Sequence, residues 1–348
     1  MNKGIVGLKN RGNTCYLNTS IQCLSHLKYL TEYFLNNSYI VDLNNRFNQL
    51  KGNNLISIKI TREYAKLITA LWSNSKGAIE PQSFHEVIQN NNNQFTGYDQ
   101  QDSHEILSFI LDNLHEGLKY NVDINYSGII ENSLDQLVVE SIKNWKSNVD
   151  NKYSIIADYF FGQFINKIIS LENKSNNKLL SKNFEMFNML NIPIYGNTLY
   201  DSLSKYFEKE ILESKYLDEA TNVYTNAYRQ IKIMRVPKYL IIVLKRFKAN
   251  ENGSLLKSNN NITFPIEDLD ISLYSEGYDS INCNLRLISI GCHSGDLEGG
   301  HYFSICRHLN EKWYKYNDEH VVEININSSK EILYKYGYIL IYEKIKND

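Results

Sequence analysis

Cysteine and proline are scarce in this chain: its 348 residues hold five of the first and four of the second. An odd, thinly spread set of five cysteines excludes a disulfide framework and agrees with a reducing interior. So few prolines, and no Gly/Ser-rich run, leave no linker at which to divide the chain cleanly. No apolar stretch approaches the roughly 20 residues that cross a bilayer, and the run Tyr239 to Leu244 is stopped by Lys245 and Arg246. The first residues, Met-Asn-Lys-Gly-Ile-Val-Gly, lack the apolar core of a secretory signal, so cytosol or nucleus is the expected compartment and no membrane is expected. Neither sign of charge dominates. A formal net charge of -2 supplies no bulk attraction to nucleic acid, and none is expected as a partner.

What is present is an ordinary globular composition, 43% hydrophobic and 22% charged, in a chain long enough to bury a sizeable core. From Asn18 to about Asn36 the residues Ile21, Leu24, Leu27, Leu30 and Phe34 recur at helical spacing, which puts Cys15 at a helix entrance. Ile106, Leu107, Ile110, Leu111, Leu114 and Leu118 mark a second helix, with Asp102 and Glu105 spaced as an N-cap and its partner. A further helix is expected around Trp145. After about residue 158 the texture turns to short β-rich runs, at 231–234, 239–247, 285–290, 301–306, 313–316 and 338–342. An α+β unit with an antiparallel sheet is the expectation.

Three polar clusters interrupt this pattern. Gly7-Leu8-Lys9-Asn10-Arg11-Gly12-Asn13-Thr14-Cys15 places a thiol where unpaired N–H groups and the positive end of a helix dipole favour a thiolate and offer donors to an oxyanion. Gly299-Gly300-His301 sets an imidazole at the mouth of a strand behind two residues with no side chain. Asn317 and Asp318 end another strand with two groups able to accept an imidazole N–H. Taken singly, each has a plainer reading: a structural thiol, a structural histidine and a polar turn.

Taken together and in order, they resemble the Cys box and His box of the ubiquitin-specific proteases, papain-like deubiquitinases. Tyr98-Asp99-Gln100-Gln101-Asp102-Ser103-His104-Glu105, Val236-Pro237-Lys238 through Lys245-Arg246-Phe247, and Tyr338 to Tyr342 resemble further segments of that family, so the likeness runs from Gly7 to Tyr342. It implies one catalytic domain over 1–348, with a helical thumb at about 1–157, β fingers at 158–235 and a β-sheet palm at 236–348. It implies a thiol protease that hydrolyses the bond after the C-terminal glycine of ubiquitin, with ubiquitin and ubiquitinated proteins as partners and an activating protein as a possible further one. The implied roles are Cys15 as nucleophile, His301 as base, Asn317 as the residue orienting the imidazole with Asp318 as supporting or substitute acceptor, and Asn10 as oxyanion donor. Asp102 and Glu105 would pair with the arginines of the ubiquitin tail, although both also suit a helix cap, while Gly299, Gly300 and Tyr302 would flank its glycines. Two other readings stay open: a ubiquitin-binding protein with weak catalysis, and a protease for another ubiquitin-like modifier. Loops at 248–263 and 293–300 are placed to control access.

Many members of the family carry a zinc site built from two Cys-x-x-Cys pairs in the fingers. Here Ser170 and Asn173 stand at the first pair, and Ala220 and Val223 near the second. No metal and no other cofactor is expected.

Overall fold

The apolar periodicity of residues 18–36 forms one buried face, carried on two helices, α1 (Cys15–Ser25) and α2 (Lys28–Leu35), instead of one. Ile21, Leu24, Leu27, Leu30 and Phe34 are all fully buried. The chain breaks after Ser25 because the turn finds partners outside the helix. The Ser25 carbonyl accepts from the Trp72 indole at 3.1 Å and the Thr31 hydroxyl at 2.8 Å, while the His26 ring meets the Tyr316 hydroxyl at 2.8 Å.

This computed structural model describes residues 3–50, 55–73, 77–97, 99–172, 178–249, 255–281, 283–296 and 299–345. Parts of both loops expected to control access, 250–254 and 297–298, lie outside the described residues, as do Tyr98 and Asn173. Helices α3 (Tyr39–Gln49), α4 (Ile56–Trp72), α5 (Gln82–Gln89), α6 (Ser103–Leu118), α7 (Ser133–Val149) and α8 (Ile155–Phe160) follow α2, and α7 contains Trp145 as expected. Among the described residues no helix is long and apolar enough to cross a membrane.

Next come β1 (Gly162–Ser170), β2 (Leu179–Phe187), β3 (Leu190–Pro193), α9 (Leu199–Tyr206), β4 (Glu210–Ile211), β5 (Tyr216–Asp218), β6 (Val223–Thr225) and β7 (Ala227–Arg235). The remainder holds β8 (Tyr239–Lys245), β9 (Phe247–Ala249), β10 (Leu255–Lys257), β11 (Leu269–Asp270), β12 (Asn284–Ser294), β13 (His301–Arg307), β14 (Trp313–Asn317), β15 (His320–Ile324), α10 (Lys330–Tyr336) and β16 (Gly337–Lys344). A smaller sheet runs β2-β1-β7-β4, and a larger one β15-β14-β13-β12-β16-β8-β3 with β11 beside β12. The larger sheet is antiparallel at each pairing but one. β3 lies parallel to β8, which the long connection through α9 and the smaller sheet makes possible.

Period-two alternation splits this sheet between two cores. Tyr239, Ile241 and Val243 of β8, with Ile339 and Ile341 of β16, face the cluster built on α1, α4 and α6. Leu240, Ile242 and Leu244, with Leu340 and Tyr342, face a second cluster that takes in α9 and α10. Burial on both faces is why β8 reads as an unbroken apolar run. The thiol helix is thereby clamped against the strands that carry the imidazole.

Arg246, at the end of that run, is fully buried, and among the described residues no carboxylate pairs with it. Its guanidinium donates to the carbonyls of Gly337 (2.7 Å), Tyr334 (3.0 Å), Asn260 (2.9 Å) and Ser258 (3.2 Å), and burial pushes its pKa down to about 10. It thus ties β8 to the α10–β16 junction just before Phe247, whose ring meets His293 at 5.5 Å and Tyr338 at 5.8 Å. Arg246→Met is expected to cost on the order of 3 kcal/mol, because it strands the buried Gly337 carbonyl and unties three partly buried ones from β8. An unchanged urea midpoint would refute this.

Candidate active site

Cys15 is the first residue of α1 and is 3% exposed. The turn before it is organised by one side chain. Asn10 Oδ1 accepts from the Gly12 and Thr14 N–H groups at 3.0 and 3.1 Å and from the Thr14 hydroxyl at 3.2 Å. Gly12 and Asn13 take positive φ in this turn, 93° and 54°. The Thr14 side chain does not cap α1, and the first turn carries no acid, so the positive end of the helix is left to the thiol and its reaction partner. Every residue of α1 is buried, which fixes the sulfur to the core.

His301 opens β13, where the ladder to β12 ends at the Ser294–His301 pair. Its Nε2 lies 2.5 Å from Asn317 Oδ1, at the last position of β14. With Nε2 donating to that amide oxygen, Nδ1 is left to serve the thiol, and in the neutral ring it is the basic nitrogen. The His301 pKa is pushed up to about 9, first by its hydrogen bond with Cys15, against desolvation, and then by Asn317 and the charges of Cys15 and Asp318. The raised value keeps the imidazolium through neutral pH, and its pairing with Cys15 is lost as pH rises through about 9.

Asp318 supports the imidazole by charge and has further partners of its own. Its nearer oxygen, Oδ2, is 4.0 Å from His301 Nε2, and both oxygens are taken by amides: Oδ2 by Asn10 Nδ2 at 2.9 Å and Oδ1 by Asn18 Nδ2 at 2.8 Å. Its carbonyl accepts from Leu8 N at 2.9 Å. Gly7 makes this approach possible, since a Cβ there would lie 2.6 Å from the Asp318 carbonyl oxygen and 2.5 Å from that of Glu319. Asp318 therefore staples the thiol loop to the β14–β15 turn. One N–H of Asn10 Nδ2 is held by Asp318, and the amide has a second N–H to donate.

Asn18 carries no role in the reading from residues alone. It sits one turn beyond Cys15, 2% exposed, with Gln22 and Ser25 as further buried polar residues on the same side of α1. A buried amide demands a partner, and an asparagine one turn past the helix-entrance thiol was the available signal.

On the other side of His301, Gly300 is buried and Gly299 exposed. A Cβ on Gly300 would lie 2.0 Å from His293 Nε2, whereas one on Gly299 would meet nothing. Tyr302 is 5% exposed and its ring lies 4.4 Å from that of His293, so it supports the wall beneath the slot. Asp102 caps α6 through His104 N at 2.8 Å and accepts from the Tyr338 hydroxyl at 2.7 Å. Glu105 does not complete a reciprocal capping box; its carboxylate takes the Gln94 amide instead. A hollow of about 730 Å³ opens elsewhere, among Tyr29, Arg235 and Lys344, and includes none of these residues; the candidate site is a slot, not a cavity.

The fingers positions do not fit zinc. Ser170 Oγ is 3.2 Å from Thr225 Oγ1, Ala220 and Val223 have no donor atoms, and Lys178 pairs with Asp218 close by. Phe164 stacks on Phe187 at 4.2 Å lower in the same sheet. Among the described residues no three histidines, cysteines or acids are grouped to hold a metal.

Helices packed on both faces of a largely antiparallel sheet, with a helix-entrance thiol set against a strand-borne imidazole, define the papain-like class of fold. The model of the family described as ubiquitin carboxyl-terminal hydrolase matches residues 6–342. The chain is 31% identical to human ubiquitin carboxyl-terminal hydrolase 2 and 29% identical to Usp2 of Drosophila melanogaster, each over 98% of its own length. It covers 55% of the human protein and 35% of the fly protein, so it spans about half or less of these relatives. Among solved structures it resembles the SAGA Ubp8/Sgf11/Sus1/Sgf73 deubiquitinase module bound to ubiquitin aldehyde, with a TM-score of 0.76 and 23% identity over 100% of this chain and 71% of that one. That likeness bears on the fold. The chain belongs to the ubiquitin carboxyl-terminal hydrolase family and has the α+β fold of the ubiquitin-specific proteases.

Proposed function

We propose that this chain is a thiol-dependent deubiquitinase acting in the cytosol or nucleus, with ubiquitin conjugates as substrates. The observation that carries the reading is the junction of Cys15, His301 and Asn317 beside a slot whose wall at Gly300 admits no side chain. Cys15 attacks the carbonyl of the terminal glycine, Asn10 donates to the resulting oxyanion, and His301 gives its proton to the departing lysine amine. Water then hydrolyses the thioester with His301 as base. Asp102 and Glu105 meet the arginines of the tail. A tail of glycines suits a slot too thin for other sequences.

The helical part to about residue 157, the fingers at 158–235 and the palm at 236–348 act as one catalytic unit. An activating partner would work through access to the slot, because the imidazole is already held by Asn317. The Ubp8 structures describe that protein in a module with Sgf11, Sus1 and Sgf73.

The test is labelling of Cys15 by a ubiquitin-based electrophile together with cleavage of diubiquitins of each linkage. No labelling and no cleavage of any linkage would overturn the proposal. The fingers are expected to hold their shape without zinc, through the Ser170–Thr225 and Lys178–Asp218 contacts. Elemental analysis of purified protein checks this, and about one zinc per chain would contradict it.

A further inference from the structure

The β12–β13 ladder ends at the Ser294–His301 pair, so the peptide before the imidazole lies beyond the sheet. Gly300 nonetheless has both backbone groups bonded, and to a single side chain. Gln100 Nε2 donates to the Gly300 carbonyl at 2.7 Å, and the Gly300 N–H donates to Gln100 Oε1 at 3.1 Å. The carboxamide extends the ladder by one residue from the facing wall.

That wall is itself held. Asp102, two residues on, accepts from His104 N and the Tyr338 hydroxyl. Ser103 bonds the Tyr16 carbonyl at 3.2 Å and lies 2.9 Å from the Ser20 hydroxyl, both partners on the helix that Cys15 begins. A short path of bonded groups therefore runs from the thiol helix, through Ser103 and Gln100, to the residue adjoining His301. With its N–H spent on Gln100, Gly300 offers the tail a thin wall and no backbone donor.

We infer that Gln100 is a positioning residue, whose carboxamide clamp on Gly300 sets His301 in register with Cys15 across the slot. This rests on the deubiquitinase reading for its substrate and on the structure for its geometry. A clamp of this kind governs the reacting pair more than it governs affinity, since misplacement of reacting groups by an ångström or so costs up to about a hundredfold.

The experiment compares wild type, Gln100→Ala and Gln100→Glu, each checked by thermal unfolding. The near-isosteric glutamate keeps an acceptor for the Gly300 N–H but sets a carboxylate against the Gly300 carbonyl, so it serves if alanine loosens the wall. Two readouts are taken: kcat and KM on a fluorogenic ubiquitin conjugate, and the pH dependence of Cys15 alkylation by iodoacetamide, followed by peptide mapping. Both variants are expected to lose about tenfold or more in kcat with KM within about twofold, and to alkylate Cys15 more slowly at neutral pH. A rise in KM with kcat retained would make Gln100 a tail contact and overturn the inference, as would unchanged kinetics and alkylation in both variants. Should the wild type fail on every ubiquitin conjugate, the substrate reading falls, and the alkylation comparison still decides whether Gln100 governs the pair.

Discussion

A Cys15→Ala chain is expected to lose turnover of ubiquitin conjugates by about 10⁴-fold or more while still binding ubiquitin, and its His301 is expected to titrate well below 9. The two halves of this result have one cause. Cys15 is the thiol that faces His301 where α1 meets β13, and its hydrogen bond is the largest influence raising the His301 pKa. With the thiol gone, desolvation acts against the imidazolium with only Asn317 and the 4.0 Å carboxylate of Asp318 to oppose it. NMR titration of the ring in both chains measures the change, and fluorogenic assay measures the loss. The proposed tail contacts, at Asp102, Glu105 and Gly300, lie outside the deleted atom, so binding should survive. Turnover above background in the variant would remove Cys15 from the mechanism. An unmoved His301 pKa would remove the thiol–imidazole bond.

Asp318→Ala is expected to lower kcat by about 10²- to 10³-fold, more than Asn317→Ala does. Removing Asn317 takes away the direct acceptor of His301 Nε2 but leaves the Asp318 carboxylate near enough to hold the ring by charge. Removing Asp318 has three consequences at once. Asn10 loses the bond that orients its amide toward the oxyanion, the Asn18 amide loses its 2.8 Å acceptor, and the β14–β15 turn is released from the thiol loop. Asn18 is the less forgiving of the two amides, because its Oδ1 is already buried without a partner. Asp318 also holds φ at 51°, a conformation that alanine resists. Asp318→Asn tolerates that φ and can accept one of the two amides, so it should fall between alanine and wild type. If Asn317→Ala proves the more damaging, Asp318 is a bystander and the stapling role is wrong.

Much of the architecture was legible beforehand because it follows from local periodicity. The apolar spacing of α1, α2 and α6, the Asp102 cap and the runs that became β7, β8, β12, β13, β14 and β16 all depend on residues a few positions apart. The failures share a different character. The helix from 18 to 36 breaks because Ser25 and His26 are claimed by Trp72 and Tyr316, residues remote in the chain. Glu105 suits a capping box by spacing, yet it bonds Gln94, which lies in the short 3-10 turn Asn93–Phe95 before α6. Asp318 reads as an imidazole acceptor by adjacency to Asn317, yet amides some 300 residues earlier reach it first.

Sequence alone determined the chemical types and their stations: a thiol at a helix mouth, an imidazole behind two glycines, amide and acid at a strand end, and no cysteines for zinc in the fingers. Only the tertiary structure decided which polar group takes which partner. Asn317 holds the ring, Asp318 ties Asn10 and Asn18, and Gln100 clamps Gly300. The reason is physical: periodicity records which face of an element is buried, whereas a hydrogen bond requires a donor and acceptor within about 3 Å and aligned, a condition met only after distant segments have packed.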